Sequence, residues 1–361
     1  MKKIRSTSGR KGHPLRQQVI ELFLEQDTGT SSGIHQALTR ASQNGSALVT
    51  VKRLLSALAK EHILTVVGKG AATRYELTMR GRLLADLDAH AYFFRDPDQR
   101  FGETSYRRDM WNQAPARLFS ATESARLQEA TMAFRRRVSG LSSTLRRKEL
   151  ERFIIELSWK SSKIEGNTYS LLDTARLIEK GVEAPHHSKE EAVMILNHKH
   201  AFQYVHDHPD AFITLTRKNM EEIHSLIVER LGVTRGLRKK PVGVTGSRYQ
   251  PLDNAHQIAE AVENLATAVQ RTTGPFAKAL LAIAGISYIQ PFEDGNKRTA
   301  RLMGNAILLA HGCAPLSYRS VEEDAYREAM LAFYELGTLA PFKRIFIEQY
   351  LFAASTYLVS P

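Results

Sequence analysis

The sequence has 361 residues, a formal net charge of +12 and a single cysteine. This length predicts two or three domains. The content of 43% hydrophobic and 24% charged residues is typical of a globular chain and excludes a disordered or fibrous one. One cysteine excludes an intrachain disulfide and favours a reducing compartment. The basic charge favours polyanionic partners such as nucleic acid or nucleotides.

Targeting signals are not evident in the sequence. The N-terminal residues are basic, but no apolar segment follows them, so we expect no signal peptide. The longest apolar run, residues 279–289, is too short to span a bilayer. We therefore expect a cytoplasmic protein without a membrane partner.

The first ninety residues predict a flexible arm and a small DNA-binding-type domain. Residues 1–12 are basic and rich in Ser and Gly, which predicts the arm. Residues 13–90 carry three helical segments and then two strand-like segments, 65–67 and 74–78, joined by a glycine-rich tip. This order is typical of a winged helix-turn-helix domain.

The third helix and the wing of such a domain usually contact DNA. The side chains that we expect to contact DNA are Thr50, Lys52, Arg53, Lys69 and Arg74. Their cations can displace counterions from phosphate. Winged helices also dock proteins, so that role stays open, and no residue here indicates a base sequence.

Beyond the first domain the pattern is mainly helical. Residues 91–140 predict a linker and a connecting helix, because Asp96-Pro97, Gly102 and Pro115 interrupt the periodicity. Residues 141–361 predict a second domain of helices separated by proline-containing breaks.

The most informative segment is residues 290–301, which read Gln-Pro-Phe-Glu-Asp-Gly-Asn-Lys-Arg-Thr-Ala-Arg between two apolar helices. Lys297, Arg298 and Arg301 crowd the start of the second helix, where the helix dipole favours acids. Helix starts already bind anions through backbone N–H groups, so three added cations predict a polyphosphate site.

Two neighbouring residues complete this prediction. Gly295 lets the backbone approach a phosphate closely. Asp294 can hold a magnesium ion that bridges two phosphates. The alternative is a solvated, charged helix that Asp294 caps.

The segment resembles the signature of the Fic family, His-Pro-Phe-x-Asp/Glu-Gly-Asn-Gly/Lys-Arg-x-x-Arg, and a wider resemblance covers roughly residues 141–352. Fic proteins are helical, and most transfer AMP from ATP to a hydroxyl group of a target protein. The resemblance implies a mainly α fold, namely a Fic-type helical bundle with a short β-hairpin flap, beside the winged helix. It also implies ATP and Mg²⁺ as ligands and a target with a Ser, Thr or Tyr hydroxyl. Asp294 resembles the magnesium ligand, and the residues that resemble the nucleotide-binding set are Gly295, Asn296, Lys297, Arg298 and Arg301.

The chain departs from this signature at two positions. Gln290 stands where the family has the histidine that accepts the proton of the attacking hydroxyl. An amide does not titrate near neutral pH, and loss of a general base typically removes roughly 10²–10⁴ of rate. We therefore expect binding without efficient transfer, whether Gln290 is native or engineered. Lys297 replaces a glycine and resembles the Doc branch, so a phosphotransferase is an alternative.

A second motif precedes this segment. Ser161, Glu165 and Gly166 resemble the Fic inhibitory motif Ser/Thr-x-x-x-Glu-Gly/Asn, at the end of a helix predicted over residues 142–166. In the family this glutamate pairs with the second arginine of the signature, here Arg301, and competes with the γ-phosphate. The resemblance implies autoinhibition. The alternative is an ordinary helix end with a solvated Glu165.

Residues 239–251, named here the flap segment, predict the only strand pair of the helical part. The segment resembles the Fic flap, which aligns a target segment as an added strand. Val242, Gly243, Val244 and Thr245 are the expected target contacts. A plain surface hairpin is the alternative.

Four histidines, His198, His200, His206 and His208, have spacings that do not place them on one helix face. No acidic or cysteine cluster completes a metal site, so we expect them to be solvated or capping residues.

Two functions follow from the sequence. The first is an autoinhibited Fic-type protein AMP-transferase that Gln290 impairs. The second is an inactive, nucleotide-sensing regulator that binds DNA through residues 1–90. The target protein, the DNA site and homo-oligomer formation stay open.

Overall fold

The computed structural model of the protein describes residues 15–41 and 46–360. The predicted basic arm, residues 1–12, lies outside the described residues. The described chain forms two compact units. One contains the residues up to Asp88 together with Leu336–Ala340, and the other contains Ala89–Glu335 and the residues from Pro341 onward. No helix in these ranges has both the length and the apolar character that a bilayer crossing requires.

The first unit is a small helical domain with a three-stranded antiparallel sheet in the order β1-β3-β2. Its elements before Asp88 are α1 (Leu15–Gln26), β1 (Thr28–Gly29), α2 (Ser31–Ala41), α3 (Leu48–Lys60), β2 (Leu64–Val67), β3 (Arg74–Leu77) and α4 (Met79–Leu84). The β2–β3 pairing runs from Leu64 opposite Leu77 to Val67 opposite Arg74, around a short 3₁₀ turn at Gly70–Ala72.

The core of this unit forms because apolar residues recur at helical spacing. On α3, Val51, Leu55 and Leu58 are buried, and they pack with Phe23 and Ile34 of the first two helices. The helix order and the hairpin agree with the predicted positions of these elements.

The second unit is almost entirely helical. Its helices are α5 (Ala89–Phe93), α6 (Ala121–Ser139), α7 (Ser143–Ile164), α8 (Leu171–Lys180), α9 (Lys189–Asp207), α10 (Arg217–Ile227), α11 (Ala255–Arg271), α12 (Pro275–Ile289), α13 (Asn296–Ala310), α14 (Glu323–Leu336) and α15 (Ala340–Thr356). The mainly α fold predicted from the sequence is confirmed.

Two buried helices, α12 and α13, form the centre of this unit. From Ala279 to Ile289 every residue of α12 is buried, as expected for a helix that is apolar on all sides. A Cβ atom on Gly304 of α13 would meet the Ile283 side chain of α12 at 2.5 Å. The glycine therefore permits the close approach of the two helices, and that approach fixes the loop between them.

The segment that we predicted as a linker packs into the second unit. Met110 and Trp111 are buried, with Trp111 fully inaccessible. The Trp111 indole N–H donates to the Tyr106 hydroxyl at 2.7 Å. Few apolar residues in the sequence indicate this burial, and the Tyr106 hydroxyl provides the partner that a buried indole N–H needs.

The prediction that the flap segment forms a pair of strands is wrong. No residue from 239 to 251 forms a β-strand, and the one bridge in this range joins Gln250 to Ser105 in parallel. The arginine side chain of Arg238, rather than a strand partner, satisfies backbone carbonyls at both ends of the segment, those of Lys240 and Leu252.

Candidate functional site

The site is built on the loop between α12 and α13, residues 290–295, named here the motif loop. The first helix ends at Ile289, and Gln290 follows in the left-handed region with φ 51°, its N–H donating to the Ile286 carbonyl at 3.0 Å. Gly295, with φ 75°, occupies the position before α13. A glycine tolerates this conformation without strain, so the loop can deliver the backbone of residue 296 directly into a helix start.

Reciprocal hydrogen bonds hold this loop rigidly. The Asn296 side chain accepts from the Phe292 N–H and donates to the Phe292 carbonyl, both at 2.8 Å. The ring of His224 stacks on Phe292 at 3.8 Å between centroids, and its Nε2 lies 3.0 Å from the Asp294 carbonyl oxygen. Burial of the His224 ring lowers its pKa to about 4, so the ring is neutral and donates this bond.

The start of α13 concentrates positive charge, and its first turn contains no acid. Arg298 and Arg301 are 2% and 0% exposed, while the Lys297 side chain is 34% exposed. Buried cations at the positive end of a helix dipole are unfavourable unless anions compensate them. The arrangement therefore selects for negative charge at this point.

The negative charge beside Arg301 is the carboxylate of Glu165, the residue that follows α7. The Arg301 Nη1 lies 2.7 Å from the Glu165 carboxylate. Its Nε and Nη2 donate to the hydroxyl and the carbonyl of Ser161, each at 2.8 Å. Burial by itself lowers the pKa of the Arg301 guanidinium, but the facing Glu165 carboxylate outweighs burial and raises it.

Glu165 follows the last turn of α7, and Gly166 after it adopts φ 97°. Burial raises the pKa of the Glu165 carboxyl, but the charges of Arg301, then Lys297 and then Arg298, together with the Arg301 hydrogen bond, lower it overall. Glu165 is therefore an anion, and its second oxygen lies 3.7 Å from the Lys297 ammonium.

Arg298 has an unused donor. Its Nη2 lies 3.1 Å from the Asp294 carboxylate. Its Nη1 is buried and has no hydrogen-bond partner among the described residues. Burial lowers the pKa of this guanidinium. A buried, unsatisfied cationic N–H costs free energy unless a ligand accepts from it, so this atom is a candidate anion contact.

A cavity of about 220 Å³ lies over the helix start. It brings together residues from the motif loop, the inhibitory motif and the flap segment. Its lining consists of Glu165, Met194, Val242, Gly243, Val244, Thr245, Gln290, Glu293, Asp294, Gly295, Asn296, Lys297 and Arg298. The predicted residues Ser161, Gly166 and Arg301 do not line it; Ser161 and Arg301 are buried behind it.

Gln290 occupies the cavity wall in a fixed orientation. Its side chain is largely buried, and its Nε2 donates to the Ser287 carbonyl at 2.6 Å. The amide oxygen is then the end left to face a ligand, and an amide oxygen accepts hydrogen bonds without taking up a proton at neutral pH.

A magnesium ion at this site would have one protein carboxylate, that of Asp294, whose side chain is 67% exposed. No group of three or more His, Cys, Asp or Glu side chains able to bind a metal occurs in the described residues. Mg²⁺ keeps several waters and binds through one or two carboxylates plus substrate phosphates. The donor set fits a phosphate-bound ion rather than a resident one.

Three residues of this region were missed by the sequence reasoning. Arg238 is 2% exposed and donates through Nε to the Gln290 carbonyl at 2.7 Å, which ties the motif loop to the flap segment. His224 supports the loop as described above. His198 is fully buried without a partner for either ring nitrogen among the described residues.

The buried His198 corrects our expectation that this histidine is solvated or capping. Helix α9 places it in the interior of the unit, on the face that also buries Ile195, Phe202 and Val205, so the apolar spacing of this helix was the signal that could have indicated it. Burial, followed by the charges of Arg301 and Arg298, lowers its pKa well below the ordinary value.

The residues predicted for DNA contact lie in the first unit. Thr50, Lys52 and Arg53 are exposed on α3, opposite its buried face. Lys69 and Arg74 are exposed in the β2–β3 hairpin. The structure brings each of these side chains to the surface of that unit.

Comparisons with known proteins show which proteins this chain is similar to. Residues 214–308 match the model of the Fic/DOC family. The chain is 28% identical over 212 residues to protein adenylyltransferase fic-1 of Caenorhabditis elegans, covering 56% of this chain and 41% of that protein. It is 29% identical over 231 residues to protein adenylyltransferase Fic of Culex quinquefasciatus, covering 60% and 45%. The chain thus spans less than half the length of these curated relatives.

Solved structures share the fold. Fic-1 of Caenorhabditis elegans, residues 134–508, aligns with a TM-score of 0.57 and 20% identity, covering 66% of this chain and 72% of that one. A Fic domain containing signaling protein of Bacteroides thetaiotaomicron aligns with a TM-score of 0.54 and 18% identity, covering 64% and 94%.

Proposed function

Because the chain contains a Fic/DOC domain, we propose that it binds ATP and Mg²⁺ at the start of α13 and is a protein AMP-transferase held in an inhibited state. The observation that carries the proposal is the pairing of Arg301 with Glu165 at 2.7 Å. The fully buried Arg301 guanidinium is neutralised by the Glu165 carboxylate of the same chain. We expect this carboxylate to take the place of the terminal phosphate of ATP.

The phosphates would lie over the helix start. The buried Nη1 of Arg298 and the N–H groups of the first turn of α13 are the donors. Asp294 would hold the magnesium ion, which neutralises phosphate charge when bound. With Glu165 on Arg301, the terminal phosphate lacks its partner, so nucleotide binds weakly or in an unproductive pose.

Transfer requires a proton acceptor. The hydroxyl oxygen of the target forms a bond to the α-phosphorus, the bond between that phosphorus and the pyrophosphate oxygen breaks, and the hydroxyl proton leaves. Gln290 faces the cavity with an amide that does not accept this proton. We therefore propose impaired chemistry, slower by roughly 10²–10⁴ than with a histidine at this position.

The identity of the transferred group is proposed from the relatives and remains to be tested against the Doc-like alternative. Lys297 stands where AMP-transferring members have glycine. Its ammonium is directed toward Glu165 at 3.7 Å, so a role in inhibition accounts for the lysine without inversion of the nucleotide.

The binding step is tested by titration calorimetry with ATP–Mg²⁺. The Glu165→Gly variant should gain affinity because Arg301 becomes free, and the Glu165→Gly/Arg301→Ala variant should lose that gain. Arg217→Ala removes an arginine that pairs with Glu221 on an exposed helix face, and it serves as the matched control. Equal affinities in all four proteins would contradict the proposed site.

The chemical step is tested on a Gln290→His/Glu165→Gly variant. We expect label transfer to the chain or to an added target from α-labelled ATP and none from γ-labelled ATP. Transfer from γ-labelled ATP alone would establish the phosphotransferase alternative. Normal ATP binding with no transfer of either label would refute the enzyme.

A second proposed function is DNA binding by the first unit. The exposed Lys52 and Arg53 on α3 and the exposed Lys69 and Arg74 in the hairpin support it. Retention on DNA should fall steeply with salt. The double reversal Lys52→Glu/Arg53→Glu should abolish retention, whereas Arg217→Glu/Lys218→Glu, with the same charge change, should not. Equal effects of the two double reversals would remove α3 as the DNA contact.

A further inference from the structure

A buried ion pair lies beside the flap segment and outside the nucleotide cavity. Arg100 and Glu335 are 4% and 1% exposed, and the Arg100 Nη1 lies 3.1 Å from a Glu335 carboxylate oxygen. Neither residue belongs to the signature or the inhibitory motif. A buried pair of charges costs desolvation energy, so such a pair is weak evidence of added stability.

Both members of the pair hold the flap segment. The second terminal nitrogen of Arg100, Nη2, donates to the Gly246 carbonyl at 3.1 Å. The Ser247 hydroxyl donates to Glu335 at 2.7 Å. The guanidinium and the carboxylate thus each use one contact for the other and one for the flap segment. The bidentate geometry of an arginine permits this double role.

The rest of the contact network fixes the pair itself. The Tyr92 hydroxyl donates to the second oxygen of Glu335 at 2.8 Å. The Glu103 N–H donates to the Glu335 carbonyl at 2.7 Å. The Gln250 N–H donates to the Thr104 carbonyl at 2.9 Å. The chain from residue 92 to residue 105 therefore runs beside the end of the flap segment and is bonded to it.

The two halves of the flap segment have different environments. Residues 242–245 line the cavity, whereas Gly246 and Ser247 are bonded to the Arg100–Glu335 pair, named here the anchor. Tyr249 extends the anchoring, since it is buried, stacks on Tyr288 of α12 at 4.6 Å and donates to the Tyr288 carbonyl at 2.8 Å. One half is rigidly held so that the other half, four residues long, stands over the phosphate site.

We infer that Arg100 and Glu335 are positioning residues that fix residues 242–245 over the nucleotide cavity and so set where a target segment meets the reacting phosphate. The inference rests on the proposed function for the role of the target, but the fixed position of the loop is a property of the free chain. Displacement of a reactive group by about 1 Å can cost roughly 10²-fold in rate, which is the effect that such an anchor would prevent.

The test compares three variants by hydrogen–deuterium exchange of the full chain. Arg100→Met/Glu335→Gln replaces the charges, and the glutamine still accepts from Ser247 and Tyr92. Arg100→Lys keeps the positive charge but has one terminal nitrogen in place of two, so it cannot reproduce the geometry of both contacts. Lys343→Met/Glu123→Gln breaks another ion pair, of 3.0 Å between α15 and α6, and is the matched control.

We expect the amides of Ser247, Tyr249 and Gln250, which donate to Val244, Ser247 and Thr104, to exchange roughly tenfold faster in the first variant, with protection of α12 and α13 unchanged. Arg100→Lys should give an intermediate rate, and the control should match the parent chain. Calorimetry should give the same Kd for ATP–Mg²⁺ in all of them. Unchanged exchange of these three amides, or equal loss of protection throughout α12 and α13, would overturn the inference.

The same changes are then placed in the Gln290→His/Glu165→Gly background, with α-labelled ATP as donor and the chain itself as acceptor. A background that transfers no label rejects the proposed function and leaves the exchange result to decide the anchor. A background that transfers label should lose roughly 10²-fold of that transfer with the anchor variant. Undiminished transfer there would refute the positioning role.

Discussion

At the scale of single residues, the Lys297 ammonium can pair either with the Glu165 carboxylate or with a phosphate of the proposed nucleotide. The ammonium lies 3.7 Å from Glu165 and is partly exposed, so the pair has the modest strength of an ion pair near solvent. When Glu165 is present, Lys297 is already engaged. When Glu165 is absent, the same charge is available to phosphate.

We therefore expect Lys297→Ala to weaken ATP binding more in a Glu165→Gly chain than in the parent chain. The difference should be about fivefold in Kd, which corresponds to about 1 kcal/mol. A double-mutant cycle by calorimetry measures it. Identical losses in both backgrounds would show that Lys297 and Glu165 act independently.

The buried His198 predicts a pH dependence of folding. Burial and the nearby charges of Arg301 and Arg298 put its pKa in the folded state well below the ordinary histidine value of about 6.5. The unfolded chain therefore binds a proton that the folded chain rejects. Stability is full above about pH 6.5 and falls as the pH decreases below it.

Urea denaturation between pH 7 and pH 5 tests this prediction. The midpoint should fall with pH in the parent chain and fall less in His198→Leu, which has no titrating group there. His200→Leu changes an exposed histidine of the same helix and is the control. Parallel slopes in the parent chain and His198→Leu would contradict the prediction.

At the scale of elements, the contact of α12 with α13 determines the position of the motif loop. The approach depends on Gly304, because a Cβ there would lie 2.5 Å from Ile283. Helix α12 is apolar around most of its circumference, so its periodicity does not indicate which side meets α13. A glycine inside a buried helix is the remaining local signal of close packing.

Gly304→Val should lower the free energy of unfolding by about 1–3 kcal/mol through overpacking. Gly140→Val is the matched control, since nothing lies within 4 Å of the corresponding Cβ. Ile283→Ala should recover part of the loss when combined with Gly304→Val. Denaturant unfolding measures all three, and equal stabilities of the Gly304 and Gly140 variants would contradict the packing argument.

In the flap segment the local sequence favours a β-strand, but the tertiary structure contains none there. Its alternating Val242 and Val244 favour a strand, and its glycines favour a hairpin tip. In the structure Arg238 satisfies the backbone carbonyls at both ends, so the segment does not need a strand partner. Side-chain hydrogen bonds to backbone replace the ladder that the pattern predicted.

At the scale of the whole molecule, the candidate nucleotide site belongs to one unit. All residues that line the cavity fall between Ala89 and Glu335. The net charge of +12 belongs to the full chain and by itself does not distinguish a nucleotide site from a DNA surface. Because the proposed nucleotide site and the proposed DNA surface lie in different units, each can be tested without the other.

A fragment of residues 89–361 should bind ATP–Mg²⁺ with a Kd within about twofold of that of the full chain, as expected for independent sites. The same fragment should lose salt-sensitive retention on DNA. Circular dichroism of the fragment is the control for folding. A folded fragment with much weaker ATP binding would show that the first unit contributes to the nucleotide site.

The sequence by itself determined the helical class, the order of elements in the first unit and the segment in which we propose the anion site. These features depend on local properties: periodicity, turn residues and the placement of three cations at a helix start. The pairing of Glu165 with Arg301, 136 positions apart, was expected from the family resemblance and not from local pattern. Only the tertiary structure decided that Arg238 supports the motif loop and that Arg100 and Glu335 meet beside the flap segment. Such contacts depend on which helix faces meet, and side-chain spacing along one helix does not contain that information.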